Sequence, residues 1–220
     1  MRPRRNPAGL TAVPGGPDNP AMTAWIEMVS DEDADGGLRA RFDRVRAPDG
    51  SVANVMRVHS LRPATMIGHH ALYMSVLHHD GNRLPGWFLE VVASYTSLLN
   101  DCGYSFTNHF ANARHLIGDA ARADAVEAAL RADRPADAFA GKELALLDYA
   151  RKLTVAPGNM VRADVERLRQ QGADDGEVLE VNQVCCYFNY ANRSLNGLGV
   201  TLRGDVIGYY AGPDEAAGRR

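Results

Sequence analysis

Three side chains with sulfur or proton chemistry fall within one short run, Asn100-Asp101-Cys102-Gly103-Tyr104-Ser105-Phe106-Thr107-Asn108-His109. Asn100 or Asp101 can cap a helix opening here, which puts Cys102 in the first turn. There the unsatisfied N–H groups and the helix dipole favour a thiolate. Ser105 follows three residues later and His109 seven later, so at about 3.6 residues per turn all three share a face. A thiol, a hydroxyl and an imidazole on one stripe can pass protons. Upstream, Glu90 is the only charged side chain between Gly86 and Leu99. A lone carboxylate on an apolar helix is expected to face a partly buried site, where desolvation disfavours its charge and suits it to proton exchange. Each residue also has a structural reading: a Glu drawn to a helix start, a Cys as a small buried hydrophobe, a His as filler.

The histidines His69, His70, His78 and His79 raise the question of a metal. Adjacent helical residues point about 100° apart, so neither pair chelates from one face, and His70 with His78 lies too far apart for one ion. No Cys-x-x-Cys or His-Glu-x-x-His is present. The expectation is no metal, and surface histidines near a helix C-terminus. No glycine-rich phosphate loop and no Gly-x-Ser-x-Gly elbow occurs either.

The elements that must position these groups read as helices. Met66, His70, Tyr73 and Leu77 recur at three-to-four spacing, with Pro63 where a first turn accepts it and Asp80-Gly81-Asn82 as the stop. A second helix, opened by Pro85, carries Phe88, Val91, Val92, Tyr95, Leu98 and Leu99. A third runs from Cys102 to Ile117 and closes at Gly118. An alanine-rich stretch from Ala120 to Ala132, an amphipathic helix from Lys142 to Leu153 and a short one from Ala163 to Gln170 follow. Asp174-Asp175 caps a long last helix with Val178, Val181, Cys185 and Phe188 on one face. Nothing before Gly199 alternates with period two, so the fold class is all-α. Residues 1–23 hold five of the eleven prolines and read as a mobile leader; 24–50 as an N-terminal arm with one short helix; 51–210 as a single helical domain; 211–220 as a tail.

Composition bounds the function. Apolar residues are 45% and charged residues 23% of the 220, as in ordinary globular chains, and the net charge is −3. No excess of positive charge exists to hold a polyanion, so nucleic acid is not an expected partner. No run approaches about 18 apolar residues, so no membrane span is expected. Cys102, Cys185 and Cys186 form no disulfide framework and suit a reducing, cytoplasmic setting.

The run Glu90-x11-Cys102-x2-Ser105-x3-His109 resembles the core motif of the alkylhydroperoxidase D and carboxymuconolactone decarboxylase superfamily, on its peroxidase-related branch. The later segments Glu143-Leu144-Ala145-Leu146-Leu147-Asp148-Tyr149-Ala150, Leu153-Thr154, Ala156-Pro157-Gly158 and Tyr187-Phe188-Asn189-Tyr190-Ala191-Asn192-Arg193 are similar to that branch's later helices. The similarity spans about Asn54 to Val200. It implies an all-helical alkylhydroperoxidase D-like fold, a homo-oligomer with the active site among packed helices, a small-molecule substrate and no cofactor. Position by position, Glu90 and His109 match the family's proton relay and Cys102 the first cysteine of its redox pair. Ser105 replaces the second cysteine, and a hydroxyl neither forms a sulfenic acid nor closes a disulfide. Tyr104 and Tyr95 are expected to contact substrate. The reading that follows is a peroxidase-related enzyme using Glu90, Cys102 and His109, in its redox form a one-cysteine peroxidase with an external thiol reductant. The alternatives are a non-redox acid–base decarboxylase, isomerase or lyase, and a catalytically silent scaffold oligomer.

Overall fold

A computed structural model describes residues 22–47 and 50–210. The proposed tail, and all but the last two residues of the proposed leader, lie outside them. Among the described residues every regular element is helical: α1 Gly36–Val45, α2 Asn54–Arg57, α3 Pro63–Leu77, α4 Gly86–Leu99, α5 Gly103–Ile117, α6 Ala120–Arg131, α7 Gly141–Val155, α8 Arg162–Gln170 and α9 Asp175–Leu198. Among the described residues no helix is long and apolar enough to cross a membrane.

The ends of these helices follow local chemistry. Asp35, Asp119 and Asp174 accept from the backbone N–H of Leu38, Arg122 and Glu177, and Glu177 returns a bond to the Asp174 amide. Helices α5 and α9 end on Gly118 and Gly199, both left-handed at φ +67 and +60. Gly199 is also required sterically, because a Cβ there would lie 2.1 Å from the Trp25 ring.

α4 is the hub. Its residues Phe88 to Ser97 are all buried, and it packs against α5, α7 and α9. A helix apolar on every side needs partners on every side. The main core joins Phe88, Val92 and Tyr95 of α4 to Phe106 and Phe110 of α5, Leu146 and Leu147 of α7, and Val181 and Phe188 of α9.

The segment before residue 50 is more than an arm. Leu38, Phe42 and Val45 of α1 recur on one face and pack with Val52, Met56 and Met66 into a second core, Phe42 being fully buried. A third cluster gathers Ala24, Val58, Cys102, Tyr104, Leu195 and Val200. After α9, residues 201–210 return across α5 as an irregular strap.

Candidate active site

Glu90 sits one turn into α4 with 2% of its surface exposed. Its Oε2 lies 2.7 Å from His109 Nδ1, and its Oε1 accepts from Asn112 Nδ2 at 3.1 Å. His109 and Asn112 stand three residues apart on α5, so one face of that helix delivers both partners to the carboxylate. A buried carboxylate is tolerable when hydrogen-bonded in this way. With Nδ1 committed to Glu90, Nε2 is the ring nitrogen left for a ligand.

The His109 ring lines a cavity of about 120 Å³ between α3, α5, α9, the segment around α2 and the strap. Its walls mix aliphatic side chains such as Val55, Met56 and Val206 with the aromatic rings of Tyr73, Tyr104, Tyr187, Phe188 and Tyr209. Phe188 meets the His109 ring edge to face at 4.5 Å, and Tyr73 stands 6.1 Å from it, centroid to centroid. Burial, reinforced by the negative charge of Glu90, holds the phenols of Tyr73 and Tyr187 well above the ordinary tyrosine range. Both therefore face the cavity region as neutral O–H groups. His70 also lines it, pushed down by burial. Among the described residues Arg46 is the only lysine or arginine on the wall, and Asp31 and Asp43 both bind its guanidinium.

The strap forms part of the lining through Val206, Gly208 and Tyr209. Asn108 and Asn112, flanking His109, accept from the backbone N–H of Gly208 and Tyr209 at 3.0 and 2.7 Å. The Tyr209 ring lies tilted against His78, 4.6 Å between centroids, and Tyr210 stacks on His115. The Tyr104 hydroxyl donates to Asp205 and accepts from Val55 N–H. Asn54 donates from Nδ2 to the carbonyls of Thr201 and Arg203. Tyr104 and Asn54 thereby tie the strap to the segment that carries α2.

No family model and no curated protein matches the sequence. Among solved structures, an uncharacterized peroxidase-related protein from Ralstonia eutropha, described as an alkylhydroperoxidase AhpD core, superposes with a TM-score of 0.71. The alignment covers 84% of this chain and 98% of that one at 23% identity. The chain has the alkylhydroperoxidase D-like fold. A second peroxidase-related protein, from Silicibacter, matches 76% of this chain and 87% of its own at 24% identity and TM-score 0.64. The debrominase Bmp8, as a cysteine-to-alanine variant in complex with 2,3,4-tribromopyrrole, matches 80% of this chain and 90% of its own at 14% identity and TM-score 0.64.

On this alkylhydroperoxidase D-like frame the expected residues separate. Glu90 and His109 meet as expected, and Ser105 and Tyr104 line the same cavity. Cys102 does not line it. It is the N-cap residue of α5, outside the helical stripe, and packs in the third cluster with 1% exposure. The N–H groups of Ser105 and Tyr104 and the Ser105 hydroxyl do favour its thiolate, but burial outweighs them and pushes the thiol up. The expected activation by the helix start is therefore reversed. Tyr95 is also absent from the lining. It is fully buried on another side of α4, where its hydroxyl donates to Asp133 at 2.5 Å, beside the Asp133–Arg151 ion pair.

The histidine cluster departs from expectation as well. Among the described residues no group of three or more His, Cys, Asp or Glu can hold a metal, but His69 is buried and not on the surface. Asn112 and the strap partners of Tyr104 were absent from the sequence reading. Asn112 lies three residues after His109, the one local signal that pointed to it.

Proposed function

We propose that this chain is an acid–base enzyme in which His109, oriented by Glu90, moves a proton on a small, neutral, largely planar molecule. The observation that carries this reading is the 2.7 Å contact between the buried Glu90 carboxylate and His109 Nδ1 at the wall of a largely apolar cavity. An imidazole tied to a carboxylate through Nδ1 is fixed in orientation and stabilised when its Nε2 takes up a proton. Tyr73, Tyr104 and Phe188 supply apolar surface suited to planar molecules, and among the described residues of the wall the one guanidinium, on Arg46, is already ion-paired. The ring bound by the debrominase of the same fold is of this size and shape class.

Burial of Cys102 behind Ser105, together with the missing second cysteine, weighs against a thiol peroxidase cycle. The test is deuterium incorporation from D2O into small planar carbon acids, with tert-butyl hydroperoxide consumption in the presence of dithiothreitol measured alongside. The expected result is exchange that falls about 100-fold or more in His109→Gln, survives Cys102→Ala, and is accompanied by background peroxide turnover. Peroxide turnover abolished by Cys102→Ala and retained in His109→Gln overturns the reading.

A further inference from the structure

Glu90 and His109 account for one side of the cavity. On the α3–α9 side stands a second set of titratable groups with no part in that pair. Tyr187 of α9 lines the cavity, and its hydroxyl meets His69 Nε2 at 2.8 Å. His69 is buried, and its Nδ1 has no protein partner. The His59 ring lies edge to face with it, 5.0 Å between centroids, and His59 Nε2 is likewise buried and unpartnered. Two adjacent imidazoles, each with one unmatched buried nitrogen, are costly at about 1–3 kcal/mol per group unless the two atoms serve each other.

The hydrogen-bond network assigns the protons. The Thr65 hydroxyl donates to the Arg62 carbonyl at 2.8 Å, so toward His59 Nδ1, also at 2.8 Å, it can only accept. His59 therefore carries its proton on Nδ1 and presents a lone pair at Nε2. At the other end Tyr187, whose phenol keeps its proton, donates to His69 Nε2 and leaves the His69 proton on Nδ1. The Tyr187 O–H, the His69 Nδ1–H and the His59 Nδ1–H then follow one direction along the chain, from the cavity through His69 and His59 to Thr65. The path requires His69 Nδ1–H to reach His59 Nε2, directly or through one water, across rings whose centroids are 5.0 Å apart.

We propose that Tyr187, His69 and His59 form a second proton path out of the cavity, with Tyr187 as its cavity-side group. The proposal rests on the acid–base reading given above. A proton leaving the bound molecule bonds to Tyr187 Oη, and its electron pair stays on that molecule. The Tyr187 O–H proton passes to His69 Nε2, the His69 Nδ1 proton passes to His59 Nε2, and one positive charge arrives on half-buried His59, which loses it to solvent. Burial and the neighbouring rings of His59 and His70 hold His69 down to about 3, so His69 conducts a proton without storing it. The other titratable rings packed nearby are Tyr190, 5.5 Å from His69, and Tyr73, 6.0 Å from Tyr187. Tyr73 stands between this path and His109, so protons can be given on one side of a bound molecule and taken on the other.

The test is nitrogen-15 NMR of the imidazoles in the full chain, for wild type, Tyr187→Phe and His59→Gln, with phenol as the cavity probe. At pH 7 both His59 and His69 are expected as neutral Nδ1–H tautomers. Tyr187→Phe should shift His69 Nε2, and His59→Gln should shift His69 Nδ1. Phenol should shift His109 and His69 in wild type but only His109 in Tyr187→Phe. An Nε2–H tautomer at His69, or His69 nitrogens indifferent to both substitutions, overturns the path. Phenol that leaves His109 unmoved counts against the cavity reading itself, and in that case the tautomers and the two substitutions still decide the path.

Discussion

Asn112 is the residue through which the Glu90 carboxylate and the strap are read together. Its Nδ2 donates to Glu90 Oε1 and its Oδ1 accepts from Tyr209 N–H, with 2% of its surface exposed. Asn112→Ala leaves a buried carboxylate oxygen without its donor and frees the strap amide. A hydrogen bond to a charged group contributes about 2 kcal/mol and a neutral one about 1, so the loss should total about 3 kcal/mol. With a urea m-value near 2 kcal/mol/M, the unfolding midpoint should fall by about 1.5 M. Asn108→Ala is the control, since Asn108 holds the strap at Gly208 and its own helix at Tyr104 but does not touch Glu90. It should lose about 1 kcal/mol. Both variants should be cut faster by chymotrypsin after Tyr209 or Tyr210, because both free the strap. Equal midpoints for the two variants would refute the argument that Asn112 sustains the buried carboxylate.

Three further outcomes are expected. Burial of Cys102 places its thiolate above the ordinary range near 9, so iodoacetamide should label it slowly in the native protein at pH 7.5 and at the rate of a free thiol in urea; equal rates refute this. His69, pushed down to about 3 from 6.5, is neutral in the folded chain while the unfolded chain binds a proton below 6.5. Stability should therefore fall as pH drops from about 6.5 toward 3, by up to about 1.4 kcal/mol per unit, and urea titrations of His69→Gln should show a shallower slope. Tyr95→Phe, which removes only the bond to Asp133, should cost about 1 kcal/mol and leave phenol binding, followed by NMR at His109, unchanged.

The helices α3, α4, α5, α7, α8 and α9 were legible because their apolar spacing, Pro63, Gly118 and the Asp174 cap are local signals, whereas α6 was read only as an alanine-rich stretch. The Glu90–His109 pair was legible only through the resemblance to the alkylhydroperoxidase D motif; the residues by themselves marked a lone carboxylate on an apolar helix and an imidazole on the next one. The placement of Cys102 was not. Asp101 adopts a left-handed φ of +54 and takes Cys102 off the helical stripe, and the residues that bury it, Ala24, Val58, Leu195 and Val200, come from remote parts of the chain. Tyr95 shows the same limit. An aromatic residue on a helix buried all round has several neighbours to face, and periodicity does not choose among them. His69 was misread because its partner Tyr187 lies 118 positions away.

The cavity wall draws on Val45 and Val55 near one end of the described chain and on Val206 and Tyr209 near the other. Asn54 spans the two, bonding to carbonyls 147 and 149 positions later. During synthesis, therefore, α3 and α5 can be in place while the pocket still lacks the walls that α9 and the strap supply. Enclosure waits until the ribosome has released the residues around Tyr209, and it carries the loop-closure entropy of joining such distant segments. Closure of the cavity is thus a property of the chain through Tyr209 and comes late in synthesis.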